Sequence, residues 1–319
     1  MAAVATSWWM WALFNLLVLG MLALDLGVFH RHSHVVKAKE AAIWTVVWIV
    51  VALIFGGFVY WWKGPDTAME YLTGYLIEKS LSADNIFVFV LIFTYFAVPA
   101  QFQHRVLFWG VLGALVMRGI FIALGAALIS KFSWIMYLFG AFLLFTGIKL
   151  LTQKEESIDP GQSPVLAFVR RLFPVTEGYE GNLFFVRRNG VLMATPLFVV
   201  LALVESSDVM FAVDSVPAIF AVTQDPFIVY TSNVFAILGL RSLYFLLADV
   251  LGKLRYLKYG LSLILAFVGT KMLLQGFVHV PPALSLGVIV AVLTVTIAAS
   301  LLVPERETEA AAEVAIWRD

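Results

Sequence analysis

The chain has 319 residues, 62% hydrophobic and 13% charged, with Lys+Arg and Asp+Glu at 21 each and a formal net charge of zero. A soluble domain carries about 45–50% apolar and about 25% charged residues, so a mean hydropathy of +0.94 excludes an ordinary soluble protein. Zero net charge offers no global basic field to nucleic acid. The absence of any Cys excludes disulfides, thiolate zinc sites and iron–sulfur clusters.

A bilayer crossing needs roughly 20 residues of helix. Nine apolar stretches reach about that length, at 8–29, 41–62, 68–98, 106–129, 134–151, 194–222, 227–248, 256–277 and 282–303, which predicts an all-α polytopic membrane protein. The first stretch has no basic leader and no small-residue cleavage site, and reads as a retained helix. Asp25 sits in its inner half, and it ends at His30-Arg-His32-Ser-His34. These three imidazoles read either as juxtamembrane polar residues in a basic loop or as a metal-collecting or pH-sensing vestibule.

The loops after the first, third, fifth and seventh stretches, with the C-terminal tail, hold 14 Lys/Arg, against only Lys63 and Lys131 on the other side. The positive-inside rule then places the N-terminus outside and the C-terminus in the cytoplasm. Trp8, Trp9, Trp11, Trp61 and Trp62 mark the outer interface.

An internal repeat appears in the polar residues. Glu78-Lys-Ser-Leu-Ser82-Ala-Asp84-Asn85 in the third stretch stands against Asp208-Val-Met-Phe-Ala-Val-Asp214-Ser215 in the sixth. Downstream, the run ending in Arg118 matches the run ending in Arg241, and Gly147-Ile-Lys149 matches Gly269-Thr-Lys271. The separations from the second Asp are 34 and 27 residues to the Arg, and 65 and 57 to the Lys. Each unit has three stretches, an odd number, so the second copy enters from the opposite side and the two form an inverted pair, as in many secondary transporters. The expected organisation is a single transmembrane domain with two leading helices (8–62), a first repeat (67–152), a cytoplasmic linker (153–193), a second repeat (194–277), a last helix (282–303) and a cytoplasmic tail (304–319).

Acids within these stretches carry the functional signal. Glu78, Asp84, Glu205, Asp208, Asp214 and Asp25 would each cost about 2.5–3.5 kcal/mol at a helix centre if ionised and unpaired. Against them stand Arg118 and Arg241, with Lys79 as a third base. Either protons or a bound cation neutralise the surplus, or the arginines tie the acids into packing ion pairs. Six residues put Glu78 and Asp84 about 120° apart on a continuous helix, so convergence requires an interruption. The polar stretch around Ser82 and Pro217, which cannot bond the carbonyl of Val213, are the expected breaks. Carboxylate, amide, hydroxyl and carbonyl oxygens suit hard divalent ions.

At Tyr75-Leu-Ile-Glu-Lys-Ser-Leu-Ser-Ala-Asp-Asn-Ile-Phe87, His104-Arg-Val-Leu-Phe-Trp-Gly110 and Asp208-Val-Met-Phe-Ala-Val-Asp-Ser-Val-Pro-Ala-Ile-Phe220 the chain resembles the TerC family of integral membrane proteins, most closely its Alx-type members. The resemblance covers about 15–303. It implies manganese export, with Mn²⁺ as transported substrate and no bound organic cofactor. Glu78, Asp84, Asp208 and Asp214 are then the metal-holding acids, and Asn85 and Ser215 neighbouring oxygen donors. Asp25, Glu205, Arg118, Arg241, Ser82 and Pro217 are expected as supporting charges or gating elements.

The expected partners are a divalent metal ion and the lipid bilayer, with no nucleic acid; a homo-oligomer is compatible with the sequence. The runner-up is a non-transport membrane factor of stress or tellurite resistance whose loops bind membrane-insertion or stress-response partners. No phosphate loop, nucleophile triad or dinucleotide fingerprint appears, and the lack of Gly-x-Gly-Asp argues against an intramembrane aspartyl hydrolase, so no enzyme is expected.

Overall fold

The computed structural model describes residues 7–24, 38–132, 134–152, 163–188, 190–247, 256–278 and 280–302, with the side chains at 24, 38, 83 and 84 aside. Asp25, the His30–His34 run, the tail 304–319 and the side chain of Asp84 therefore lie outside the described residues.

Helices occupy every expected stretch: α1 (Trp8–Leu24), α2 (Ala38–Lys63), α3 (Pro65–Tyr95), α4 (Ala100–Lys131), α5 (Ile135–Thr152), α7 (Pro196–Phe220), α8 (Pro226–Leu238), α9 (Leu240–Leu247), α10 (Leu257–Leu273) and α11 (Pro282–Leu302). Five of them (α2, α4, α5, α7 and α11) are long and apolar enough to cross a bilayer, and up to six if the bent pair α8–α9 is one span. α3 is long enough, but Glu78, Lys79 and Asp84 interrupt its apolar run, while α1 and α10 have 17 residues each. Leu16, Ile54, Phe145, Val295 and Leu301 stand exposed on the outside of the bundle. An apolar exterior of this extent belongs against acyl chains rather than water. The protein is an all-α, multi-pass integral membrane protein.

α8 is buried along nearly its whole length and sits at the centre. α3 packs against α8 and α7, α4 packs against α7 and α8, and α5 and α10 form the most extensive pair, with α2 and α11 flanking α3. The α5–α10 crossing depends on small residues, which let backbones approach closely in lipid. A Cβ added at Gly140 would lie 3.0 Å from the carbonyl oxygen of Gly269, and one at Gly269 would lie 2.7 Å from that of Gly140. Further along, Gly147 abuts the backbone of Ser262, whose hydroxyl donates to the Gly147 carbonyl.

Two expectations about broken helices are corrected. α3 runs unbroken through residues 80–85, where the hydroxyls of Ser80 and Ser82 donate to the carbonyls of Leu76 (2.5 Å) and Glu78 (2.8 Å) one turn back. Bonding of that kind bends a helix slightly without breaking it. α7 also runs through Pro217, which lies in its last turn, where residues 215–220 are all buried and the Pro217 carbonyl accepts the amide of Ala221 at 3.1 Å. The break falls elsewhere: the stretch expected as one helix over 227–248 bends by 40° between α8 and α9, at Gly239.

The described part of the 153–193 connection holds structure of its own. α6 (Pro164–Leu172) starts at Ser163, whose hydroxyl accepts the Val165 amide at 3.3 Å, with Pro164 at the first helical position. β1 (Phe185–Arg188) and β2 (Val191–Ala194) form an antiparallel ribbon with Arg187 opposite Leu192 and Arg188 opposite Val191. Tyr179 ties the loop to the end of α3 by donating to the Phe96 carbonyl at 2.7 Å. Burial pushes that phenol up to about 12, so it stays a neutral donor.

Candidate functional site

On a continuous helix, residues seven apart return to within about 20° of one face, whereas residues six apart diverge by about 120°. α3 and α7 are both continuous at their acidic motifs, and this spacing decides which polar groups meet. Glu78 and Asn85 of α3 face Asp208 and Ser215 of α7, with Arg118 of α4 between them and Asn233 of α8 closing the cluster.

Arg118 organises the group. Its Nη1 lies 2.6 Å from Glu78 Oε2 and donates to Ser215 Oγ and Asn233 Oδ1, both at 2.7 Å. Asn85 Nδ2 donates to Asp208 Oδ1 at 3.3 Å. Exposure is 0% for Glu78 and Asn233, 2% for Arg118 and Asn85, 3% for Asp208 and 1% for Ser215. Even so, Glu78 Oε1, Asp208 Oδ2 and Asn85 Oδ1 accept no hydrogen bond. Buried acceptors left this way are costly in a native fold unless something satisfies them. Glu78 and Arg118 are also the principal charges acting on Asp208.

The other expected site residues divide. Glu205 lies one turn before Asp208, interacts with it electrostatically, and its carboxylate fills the space over Gly113 that a side chain there would need. Asp214 is half-buried and turns to α5, where the Thr146 side chain bonds it and Lys149 is the nearest charge. It therefore does not join Asp208, contrary to the expectation of one convergent set, because α7 remains helical between them. Arg241 is buried at the start of α9. Ser82 bonds its own helix, and Pro217 lies buried in the last turn of α7. The packing reading of the arginines holds for Glu78, which has a guanidinium partner.

Sequence reasoning passed over Asn233 and undervalued Lys79. Thr231-Ser232-Asn233 is a polar triplet inside an apolar stretch, and that was the available signal for Asn233. Lys79 Nζ reaches the α8–α9 break and donates to the Ala236 carbonyl at 3.2 Å, where the negative end of α8 stabilises a cation. Among the described residues, no three carboxylate, imidazole or thiol side chains stand close enough to hold a metal ion by themselves. Two carboxylates, a carboxamide oxygen and a hydroxyl do gather around Arg118. They are hard donors, and a divalent ion among them would keep part of its water.

The sequence pattern of the integral membrane protein TerC family matches residues 63–308, which contain the whole cluster. The chain belongs to the TerC family. An uncharacterized membrane protein of Myxococcus xanthus is 54% identical over 293 residues, 92% of each chain. Alx of Escherichia coli (strain K12), whose name proposes a membrane-bound redox modulator, is 51% identical over 297 residues, 90% of this chain and 92% of its own. A third relative, an uncharacterized membrane protein of Rickettsia bellii, is 41% identical over 292 residues, 92% of this chain and 97% of its own. No solved structure matches. None of these names states a catalytic activity or a transported ion.

Proposed function

We propose that this TerC-family protein is a secondary exporter of Mn²⁺ in a bacterial inner membrane, with nine crossings, the N-terminus outside and the C-terminus in the cytoplasm. The observation that carries the reading is that Glu78, paired with Arg118, and Asp208, bonded by Asn85, lie in one buried cluster and act on each other electrostatically. These are the corresponding acids of the two repeats, and each keeps a buried oxygen without a donor.

The helix packing supports the inverted pair. If α3, α4 and α5 correspond to α7, α8–α9 and α10, a two-fold exchange turns the α3–α8 contact into the α7–α4 contact, and both are present to a similar extent. The same exchange, with Gly147 equivalent to Gly269, carries the Gly140–Gly269 approach onto the Gly147–Ser262 approach. Substrate sites in such folds lie where the repeats meet, near the midplane.

In this reading Arg118 is a place-holder. A divalent ion entering between Glu78 and Asp208 displaces the guanidinium from Glu78 and leaves it on Ser215 and Asn233, which it already bonds, and the acids alternate between holding the ion and holding protons or Arg118 as the repeats rock. The choice of Mn²⁺ rests on the family resemblance, since oxygen donors alone do not separate it from its neighbours. Control of metal content also offers a route to the redox role in the relatives' name, for a chain without cysteine cannot carry out thiol chemistry itself.

The test is Mn²⁺ flux through the full chain in sealed vesicles, with and without a proton gradient. Wild type should move Mn²⁺, and Glu78→Gln and Asp208→Asn should fall to the level of empty vesicles while inserting normally. Full flux in both variants, or none in wild type under any gradient, would reject the reading.

A further inference from the structure

Outside the central cluster, the least explained surface is the module that joins the two halves. α6 buries Leu166 and Val169 against the bundle and turns Phe168, Arg171 and Leu172 outward together, since they are three and four residues apart. Phe168 and Leu172 are 60% and 57% exposed. The ribbon repeats the mixture across its strands. Arg187 stands opposite exposed Leu192, and Arg188 opposite exposed Val191. α7 starts at Pro196, two residues after β2 ends, so the ribbon sits where a spanning helix leaves the hydrocarbon.

Aliphatic and aromatic side chains beside guanidinium groups at that depth are the composition of a membrane-surface element. Within residues 163–193 the acids are Glu177 and Glu180 against Arg170, Arg171, Arg187 and Arg188, and with Glu180 paired to Arg188 three arginines face one glutamate. A cavity of about 610 Å³ opens between α6 and the start of α7, lined by Tyr95, Leu166, Arg170, Glu177 and Tyr179.

We propose that α6 and the β1–β2 ribbon form a surface foot that binds acidic phospholipids of the leaflet it borders, with Phe168, Leu172 and Leu192 in the acyl boundary and Arg170, Arg171 and Arg187 on the phosphates. Arginine suits this task because its planar fork matches phosphate oxygens. The site is independent of which ion the central cluster handles.

The chain has no cysteine, so Leu192→Cys supplies a single thiol for an environment-sensitive fluorophore. The full chain is reconstituted in vesicles of phosphatidylcholine with or without phosphatidylglycerol. The expected result is blue-shifted emission in the phosphatidylglycerol vesicles, quenched by nitroxide on the lipid and shielded from aqueous iodide. Replacing Arg170, Arg171 and Arg187 by Gln should abolish the dependence on phosphatidylglycerol, and inorganic phosphate should not compete. Raising ionic strength on the unsubstituted arginines should also reverse it, which keeps the test open if the Gln variant fails to insert. Equal iodide access in both vesicle types overturns the proposal. Shielding that persists in detergent and ignores the arginines also overturns it, and points to a protein partner or a second copy instead.

Discussion

Arg118 Nη1 and Glu78 Oε2 lie 2.6 Å apart at a point where neither side chain is more than 2% exposed. A pair withdrawn this far from water is held as a unit, because removing one member strands the other's charge in a medium that cannot solvate it. In Arg118→Ala, Glu78 loses its partner and Asn233 Oδ1 and Ser215 Oγ lose their donor. The expected cost is about 3–5 kcal/mol, read as loss of monodisperse protein in detergent and a lowered thermal transition. Arg118→Ala with Glu78→Gln should recover part of that loss, because the stranded charge is gone. A single variant as stable as wild type would show that the pair does not hold the helices.

The two aspartates of the second motif should separate functionally. Asp208 faces Asn85 of α3 while Asp214 faces Thr146 and Lys149 of α5. Asp208→Asn is expected to reduce Mn²⁺ flux to background, and Asp214→Asn to leave a measurable rate at the same membrane level. Equal and complete loss in both would mean that α7 breaks between them during the cycle. That rearrangement is not present in this conformation.

Gly239 sits at the bend in the α8–α9 span, and Lys79 fills the space beside it. A Cβ at 239 would come within 2.7 Å of Lys79 Nζ and 3.2 Å of Trp48 Cβ. Gly239→Ala should therefore destabilise the protein by about 1–3 kcal/mol through overpacking. In a Lys79→Met background the same substitution should cost less, because the crowded atom has changed. A double-mutant cycle on thermal stability measures that coupling; perfect additivity would contradict the contact.

The α5–α10 crossing predicts a graded series. Gly269→Ala places a methyl 2.7 Å from both the Gly140 oxygen and the Leu144 nitrogen, which are backbone atoms that cannot swing aside. Reduced folded yield is expected, with a larger effect for Gly269→Val. Gly20→Ala, with nothing within 4 Å, should behave as wild type. Comparable yields for Gly269→Val and Gly20→Ala would show that the helices separate without penalty.

Composition and hydropathy were enough to place the helices, because covering a bilayer needs long apolar runs whatever the neighbours are, and the ends fell within a few residues of α2, α4, α5 and α11. The pairing of Glu78 with Asp208, and of Asn85 with Ser215, was legible as a repeat before any packing was known. The expected breaks at Ser82 and Pro217 were not, since both residues read as helix-breaking in isolation. Whether a serine bonds backward along its own helix, and whether a proline lies in a tightly packed last turn, depends on the surroundings. The one bent span turned on Gly239, and a glycine alone does not distinguish a hinge from a close contact.

What the order of residues determined by itself was therefore membrane residence, the positions of the helices and the identity of the buried acids, all set by local hydrophobicity and charge. Only the tertiary structure decided which acids share a site. Rotation about a continuous helix axis sent Asp208 to Asn85 and Asp214 to α5, and brought Asn233 and Lys79 in from elements far away in the chain. Facing across helices is a property of packing, in which a side chain's neighbours come from helices that linear spacing does not record.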